Sequence, residues 1–308
     1  MSEELVVLEC DYVYNGWTIN CKTKDVVSKT KVFQQRKATD DYRLCGVYKQ
    51  ANIPYKIIKV TDSVYPSEEA YKAIPRAFSD YTYEAIKNGN RVLTPSGYCV
   101  YAPAIVGGIQ RAIGEDKKIG IVWIDAHYDN VIVEKTNRDK VTLVGVPLSS
   151  IMGQTMEEWR IQSCGLKKTV SDEFILAGDG RCSDEECINN IRQTSAILIN
   201  EDEFENSSLW KNRVEELSNK VDAIYLMVDA DILKAEFVPA YYREEKGGHD
   251  VGTVMKNIEY VMQTNKVLAF SSFCIDFDKY KQGGDTTYLN GMRIIASGLL
   301  SWKKRPYF

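Results

Sequence analysis

Residues 119–130 have the sequence IGIVWIDAHYDN, an apolar run that ends in two aspartates and a histidine. The run does not alternate between apolar and polar side chains, which is typical of a strand buried on both faces. Such a strand belongs in a parallel sheet that is covered by helices on both sides. This stretch therefore predicts an α/β protein.

Similar apolar runs, separated by amphipathic helical stretches, recur along the chain. They lie at 5–12, 55–60, 91–94, 173–178, 196–200, 223–229 and 267–276. Because no Pro/Gly/Ser-rich linker interrupts them, they predict a single domain over residues 1–308. Its expected fold is a three-layer α/β/α sandwich with a mainly parallel sheet of about eight strands. Ser183 and Glu186 have the spacing of a capping box, and Pro75 predicts a break or kink in the helical stretch 67–88.

Composition narrows the class of protein. The formal charge is −4, from 39 basic and 43 acidic residues, which favours neither a nucleic-acid partner nor a membrane partner. The first residues, MSEELVVLE, do not resemble a signal peptide, and no apolar run approaches the roughly 20 residues that span a bilayer. The eight scattered cysteines are therefore expected to be reduced thiols, and the protein to be cytoplasmic.

Two strand ends carry residues with metal-binding chemistry. Asp125, His127 and Asp129 follow the first strand, and Asp229 and Asp231 follow AIYLMVD at 223–229. Ligands gather beyond the carboxyl ends of strands in parallel sheets. Several buried carboxylates repel one another unless a cation lies between them, so Mn, Fe, Co, Ni or Zn fits this pattern. A strand-end cluster that is satisfied by loop amides is the alternative.

The D-A-H-x-D strand end, followed downstream by a D-x-D strand end, resembles the ureohydrolase superfamily of arginases, agmatinases and formiminoglutamases. The resemblance extends over nearly the whole chain and implies a binuclear manganese cluster. In SGYCVYAPAIVGGIQRA, which begins at Ser96, Cys99 falls where the family has a further ligand. The resemblance implies one ion held by Cys99, Asp125, Asp129 and Asp229, and a second held by Asp125, His127, Asp229 and Asp231.

Cys99 has two interpretations. A free cysteine is often simply a buried apolar residue. If Cys99 is a ligand, it binds as thiolate, and the soft sulfur favours Fe, Co, Ni or Zn over Mn.

The sequence departs from the family at several positions. Val144 stands where the family has a proton-shuttle histidine, and Lys234 replaces the last aspartate of its D-x-D-x-x-D-P motif. Asp276 takes the place of a substrate-binding glutamate and is one methylene shorter. The family's N-terminal glycine- and proline-rich substrate loop has no counterpart in YNGWTINCKTKD at 14–25.

The resemblance implies a hydrolase that cleaves a linear C–N bond in a guanidino or formimino small molecule with a metal-bridged hydroxide. Asp129 would transfer the proton. His249 is the candidate replacement for the missing shuttle, and the alternative is an exposed loop histidine at a helix start. Asn130, Asp179 and Asp276 are the candidate substrate-binding residues. The family also implies a homo-oligomer, a trimer or hexamer. The alternative is a diverged, non-catalytic protein with a regulatory or assembly role.

Overall fold

A computed structural model describes residues 3–10, 17–28, 38–241, 243–275 and 284–303 of the chain. The strands are Leu5–Cys10 (β1), Trp17–Asn20 (β2), Val26–Ser28 (β3), Tyr55–Val60 (β4), Arg91–Thr94 (β5), Ile119–Asp125 (β6), Lys140–Thr142 (β7), Ile175–Asp179 (β8), Ile197–Ile199 (β9), Ala223–Asp229 (β10) and Val267–Phe273 (β11). The α-helices are Ala38–Cys45 (α1), Ala70–Lys87 (α2), Ala102–Ile113 (α3), Pro147–Ile151 (α4), Glu157–Gln162 (α5), Glu185–Arg192 (α6), Glu201–Glu205 (α7), Ser207–Lys220 (α8), Val251–Met262 (α9) and Gly284–Ser301 (α10).

Eight of the strands form one sheet in the order β4-β1-β5-β11-β10-β6-β8-β9. Every neighbouring pair in this sheet is parallel. All residues of β6, β10 and β11 are buried, as strands covered by helices on both faces must be. Among the helices, α2 packs on α3 and α9 packs on α10. The predicted three-layer α/β/α fold with about eight strands is confirmed.

All eight strands that the apolar runs predict lie in this sheet, and four of them have the predicted bounds at both ends. The largest difference is at β11, which ends at Phe273 and not at residue 276. A second, antiparallel sheet in the order β3-β2-β7 was not predicted. Its strands are short, and β7 lies far from β2 in sequence, so no local pattern indicates the pairing.

The prediction of a break at Pro75 is wrong, because α2 runs without interruption from Ala70 to Lys87, whereas a kink there stays a prediction. Proline has no N–H to donate to the carbonyl four residues earlier, which belongs to Tyr71. The indole Nε1 of Trp159 donates to that carbonyl instead, at 2.9 Å. A side chain from α5 thus supplies the hydrogen bond that proline removes.

The predicted capping box at Ser183 and Glu186 is also wrong. The Ser183 hydroxyl accepts a hydrogen bond from the backbone N–H of Tyr128, at 2.8 Å. Asp184 caps α6 instead and accepts from the Cys187 N–H at 3.0 Å. Ser183 therefore holds the loop that follows β6, and the next residue along the chain takes over the helix end.

Within the described ranges, none of the helices combines the length and the apolar character that crossing a membrane requires.

Candidate metal centre

Four adjacent strands at the middle of the sheet, β5, β11, β10 and β6, carry the candidate ligands at or just beyond their carboxyl ends. Parallel strands present these ends at one edge of the sheet, so residues far apart in sequence meet there. The side chains that converge are Cys99 after β5, Cys274 after β11, Asp229 and Asp231 at the end of β10, and Asp125, His127 and Asp129 at the end of β6.

These seven side chains line one cavity of about 500 Å³. In the described part of the chain they form three groups, and within each group the potential ligand atoms lie within 4.8 Å of one another. The groups are Cys99–Asp125–Asp129, Asp125–His127–Asp231 and Cys99–Asp229–Cys274. The structure thus brings all six predicted ligands together and adds a seventh residue, Cys274.

Asp125 shows that this cluster suits a cation. Its side chain is 1% exposed, and its Oδ1 accepts from the His127 N–H at 2.7 Å. Its Oδ2 has no hydrogen-bond partner among the described residues. Burial, followed by the charges of Asp231 and Asp229, raises the pKa of Asp125 well above its ordinary value. Because an unpaired buried carboxylate is costly, a cation bound at Oδ2 would remove the main electrostatic penalty of the site.

Asp229 and Asp231 are held in place by neighbouring hydrogen bonds. Asp229 Oδ1 accepts from the Asp231 N–H at 3.2 Å, and Asp231 Oδ1 accepts from the Ala126 N–H at 3.1 Å. The Tyr241 hydroxyl lies 3.2 Å from Asp229 Oδ1 and 2.9 Å from Asp231 Oδ2. Groups that bond to ligands in this way fix their orientation. Sequence reasoning missed Tyr241, because it lies in an irregular segment without a periodic pattern.

His127 lies at the mouth of the cavity, with its side chain 22% exposed. Its Nδ1 is 3.0 Å from Asp231 Oδ2, and its Nε2 is 3.1 Å from Nη2 of Arg243. Burial lowers the pKa of His127, but its hydrogen bonds to Asp125 and Asp231 and their charges outweigh burial and raise it to about 12. A metal ion must therefore displace a proton from this ring when it binds.

Three other predicted site residues, Asn130, Asp179 and His249, lie outside the cavity lining. Asn130 is buried, and its Nδ2 donates to the Cys187 carbonyl at 3.1 Å. His249 is buried between Asp179 Oδ2, at 3.1 Å, and Glu205 Oε1, at 2.5 Å. These contacts are internal to the protein. The role of His249 in catalysis and the roles of Asn130 and Asp179 in substrate binding stay predictions. Asp276 lies outside the described residues.

The pair Asp179–His249 is linked to the metal site through Arg181. Arg181 Nη1 is 2.6 Å from Asp179 Oδ2, and its Nη2 donates to the Asp231 backbone carbonyl at 2.7 Å. Through these two contacts, Arg181 helps to hold the loop that carries Asp231.

Two of the departures from the family motifs, Val144 and Lys234, differ in position. Val144 lines the cavity, whereas Lys234 lies at the surface and forms an ion pair with Asp250 at 2.7 Å. The substitution at Val144 therefore changes the wall that a ligand meets, and the substitution at Lys234 does not.

The fold and the cluster together define a parallel α/β protein with a candidate metal centre at the carboxyl edge of its central strands. The sequence model of the arginase family matches residues 28–298, and the chain belongs to the arginase family.

Solved structures agree with this assignment at the level of the fold. Arginase from Entamoeba histolytica, in complex with L-ornithine, has a TM-score of 0.78 at 15% identity, covering 96% of this chain and 98% of that one. Formimidoylglutamase from Bacillus subtilis subsp. subtilis str. 168 has a TM-score of 0.71 at 13% identity, covering 99% of this chain and 89% of that one. Proclavaminate amidino hydrolase from Streptomyces clavuligerus has a TM-score of 0.69 at 14% identity, covering 97% and 92%. A search of curated protein sequences gives no match.

Proposed function

We propose that this protein is a metal-dependent hydrolase that cleaves a C–N bond in a small guanidino or formimino compound. The observation that carries the proposal is the convergence of five carboxylate and imidazole ligands on one cavity, with Asp125 Oδ2 buried and unpaired in the described structure. Membership of the arginase family supports this reaction class. So do the names of an arginase, a formimidoylglutamase and an amidino hydrolase among the similar structures.

The cavity fits a small substrate. Its volume of about 500 Å³ lies within the range of roughly 300–1,000 Å³ that is usual for small-molecule sites. Its lining combines apolar residues such as Val141 and Val144 with charged residues such as Arg138 and Glu245. A planar, positively charged amidine group suits the acidic floor of this cavity, and the rest of the molecule would face the mixed wall.

We assign two cation positions to the cluster. Asp125 and Asp229 contribute to both; Cys99 and Asp129 complete one position, and His127 and Asp231 complete the other. When bound, the cations supply Lewis acidity and an activated water. Removing Asp125 or Asp229 would therefore disable both positions at once.

The chain's own groups would orient the substrate and move the proton. The water oxygen attacks the amidine carbon, the C–N bond breaks, and the leaving nitrogen takes a proton. Asp129 lines the cavity and is the candidate group to accept that proton from water and deliver it to nitrogen. The products are urea or a related small amide, and an amine.

The test is a substrate screen on protein that has been stripped of metal and reloaded separately with Mn, Fe, Co, Ni or Zn. Guanidino, formimino and simple amide compounds are incubated with each form, and released urea, amide and amine are quantified by mass spectrometry. We expect metal-dependent release of amine from at least one guanidino or formimino compound. Asp229→Asn should abolish both metal retention and turnover, whereas Asp202→Asn, which removes an exposed carboxylate at the start of α7, should change neither.

A folded, metal-loaded protein that hydrolyses none of these compounds would overturn the proposal and favour the non-catalytic alternative. Hydrolysis of simple amides alone would place the substrate in a different class. Turnover retained in Asp229→Asn would show that the assigned cluster does not perform the reaction.

A further inference from the structure

Cys274 occupies a strained position at the end of β11. Its φ is +62°, in the left-handed region that residues other than glycine rarely adopt. A hydrogen bond from the Cys274 N–H to the Gly97 carbonyl, at 2.9 Å, ties the end of β11 to the segment that leads to Cys99. The side chain is 1% exposed and lines the same cavity as the metal-binding acids.

Cys99 reaches the same point from the neighbouring strand. It begins the short 3-10 helix Cys99–Tyr101 beyond β5, and it is 2% exposed. The two thiols adjoin each other, and Cys274 also adjoins Asp229. Potential ligand atoms of all three residues lie within 4.8 Å of one another.

Ligand atoms within 4.8 Å of one another are close enough for one metal ion to bind them all. A tetrahedral zinc ion with Zn–S bonds of about 2.3 Å holds two sulfur atoms roughly 3.8 Å apart. Cys99 also belongs to the group with Asp125 and Asp129, and the Oδ2 of Asp125 has no partner among the described residues. This buried, unpaired oxygen is an observation independent of the thiols, and it indicates a cation next to the group that shares Cys99.

We propose that Cys99 and Cys274 both ligate the deeper metal ion, together with Asp229 and Asp125, that Cys274 takes the place assigned above to Asp129, and that this position selects zinc, cobalt or ferrous iron over manganese. The inference rests on the proposed function, since it concerns one of the two cation positions assigned above. Two thiolates and two carboxylates form a donor set of mixed sulfur and oxygen. Thiolate ligands favour Zn, Co and Fe, whereas Mn favours oxygen ligands.

The consequence is an asymmetric pair of positions. The deeper position has sulfur ligands, while the outer one has the imidazole of His127 and the carboxylate of Asp231. Only the outer position keeps donors that suit manganese. The deeper position would therefore discriminate more strongly against manganese than the outer one.

The first experiment needs no variant. X-ray absorption at the zinc edge of the zinc-loaded full-length protein should show a sulfur shell near 2.3 Å, with about two sulfurs per zinc at one equivalent and about one on average at two equivalents. In competition, protein supplied with equal zinc and manganese should retain zinc at one position, as measured by mass spectrometry. A spectrum without sulfur, or with half a sulfur per zinc at two equivalents, would overturn the proposal.

Variants then identify the two sulfurs. The cobalt-loaded protein should show a near-ultraviolet sulfur-to-cobalt charge-transfer band. Cys274→Ser and Cys99→Ser should each remove roughly half of its intensity, since each removes one of two thiolate ligands. Cys164→Ser is the matched control: Cys164 is equally buried but does not line the cavity, so its spectrum should match the parent. Far-ultraviolet circular dichroism identifies any variant that fails to fold. If a variant does not fold, the zinc-edge spectrum of the unsubstituted protein tests the proposal instead.

An unchanged band in a folded Cys274→Ser protein would leave Cys99 as a lone sulfur ligand and overturn the proposal. These readouts count ligands and do not depend on turnover. A sulfur shell without hydrolysis would therefore contradict the proposed function alone. Metal-dependent hydrolysis without a sulfur shell would contradict this inference alone.

Discussion

His249 is the residue for which sequence and structure suggest different roles. The family resemblance makes it the candidate proton shuttle, yet its ring is buried and bonded to Asp179 and Glu205, and its centroid lies 4.4 Å from that of the Phe204 ring. These contacts support a role in holding the loop that begins at Leu233. The first residues of that loop pair with the backbone of His249. A substitution separates the two roles.

We expect His249→Phe to lower the free energy of unfolding by about 1–3 kcal/mol, because it leaves Asp179 with one polar partner fewer in a buried place. His249→Gln should recover part of this loss, since an amide can still bond to one carboxylate. Urea denaturation measures both effects. A proton-transfer role would instead lower kcat roughly 100-fold or more and leave the stability unchanged.

At the scale of single residues, the acids and the histidine of the site were predictable because each directly follows an apolar strand. Cys274 also directly follows a strand, but the predicted run continued to residue 276 and placed it inside the strand. Ile275 extends the apolar pattern past the point where the backbone turns at Cys274. Periodicity cannot locate such a turn, because Cys274 is held by a hydrogen bond to Gly97, which lies in the segment after β5 and is distant in sequence.

At the scale of elements, the contact of α3 with its surroundings depends on two glycines. A Cβ at Gly107 would lie 2.0 Å from the Cys164 carbonyl oxygen, and one at Gly108 would lie 2.6 Å from the Ser79 carbonyl oxygen. Both obstacles are backbone atoms, which cannot rotate away. α3 can therefore lie this close to α2 and to residues 163–165 only because positions 107 and 108 are glycine.

We expect Gly107→Ala to destabilise the protein by about 3 kcal/mol or more, as severe overpacking does. Gly252→Ala in α9 is the matched control, because a Cβ there meets no atom within 4 Å. That variant should raise stability by roughly 0.5–1 kcal/mol through helix propensity. Thermal unfolding followed by circular dichroism compares them; equal stabilities would contradict the packing argument.

The elements that the sequence predicted well are the ones whose environment is uniform. A strand buried on both faces must be apolar throughout, so its sequence alone identifies it. Pro75 and Ser183 were misjudged because their hydrogen-bond partners, Trp159 and Tyr128, come from distant segments. A rule based on neighbouring residues therefore fails where a distant segment supplies the hydrogen-bond partner.

At the scale of the whole molecule, the cluster of acids makes metal-free protein sensitive to pH. Burial and neighbouring charges raise the pKa of Asp125 and Asp229 well above the ordinary value, and burial raises that of Asp129 to about 7. The folded state then holds protons that the unfolded chain releases above pH about 4, so stability falls as pH rises. His127, with its pKa raised to about 12, acts in the same direction above the unfolded value of about 6.5.

We therefore expect the free energy of unfolding of chelator-treated protein to decrease between pH about 5 and about 8. Saturating zinc should reverse this trend, because zinc binds the deprotonated ligands and its affinity rises with pH. Urea denaturation across this range, with and without zinc, measures both slopes. Metal-free stability that increases over the same range would contradict the electrostatic picture of the site.

Other properties of the whole molecule stay predictions. The single domain over 1–308, the trimer or hexamer and the cytoplasmic location follow from patterns or from the family resemblance, and light scattering would test the oligomeric state.

The strand order has a consequence for the order in which the protein is made. β11, near the end of the chain, is inserted between β5 and β10, so it separates two parts of the sheet, β4-β1-β5 and β10-β6-β8-β9. Until β11 leaves the ribosome, each part exposes an open inner edge, and Cys99 is not yet held beside Asp229. A nascent chain that ends before β11 therefore exposes two unpaired strand edges, the kind of surface that leads to aggregation. The ligand set proposed for the deeper position is therefore assembled only after β11 has been synthesised.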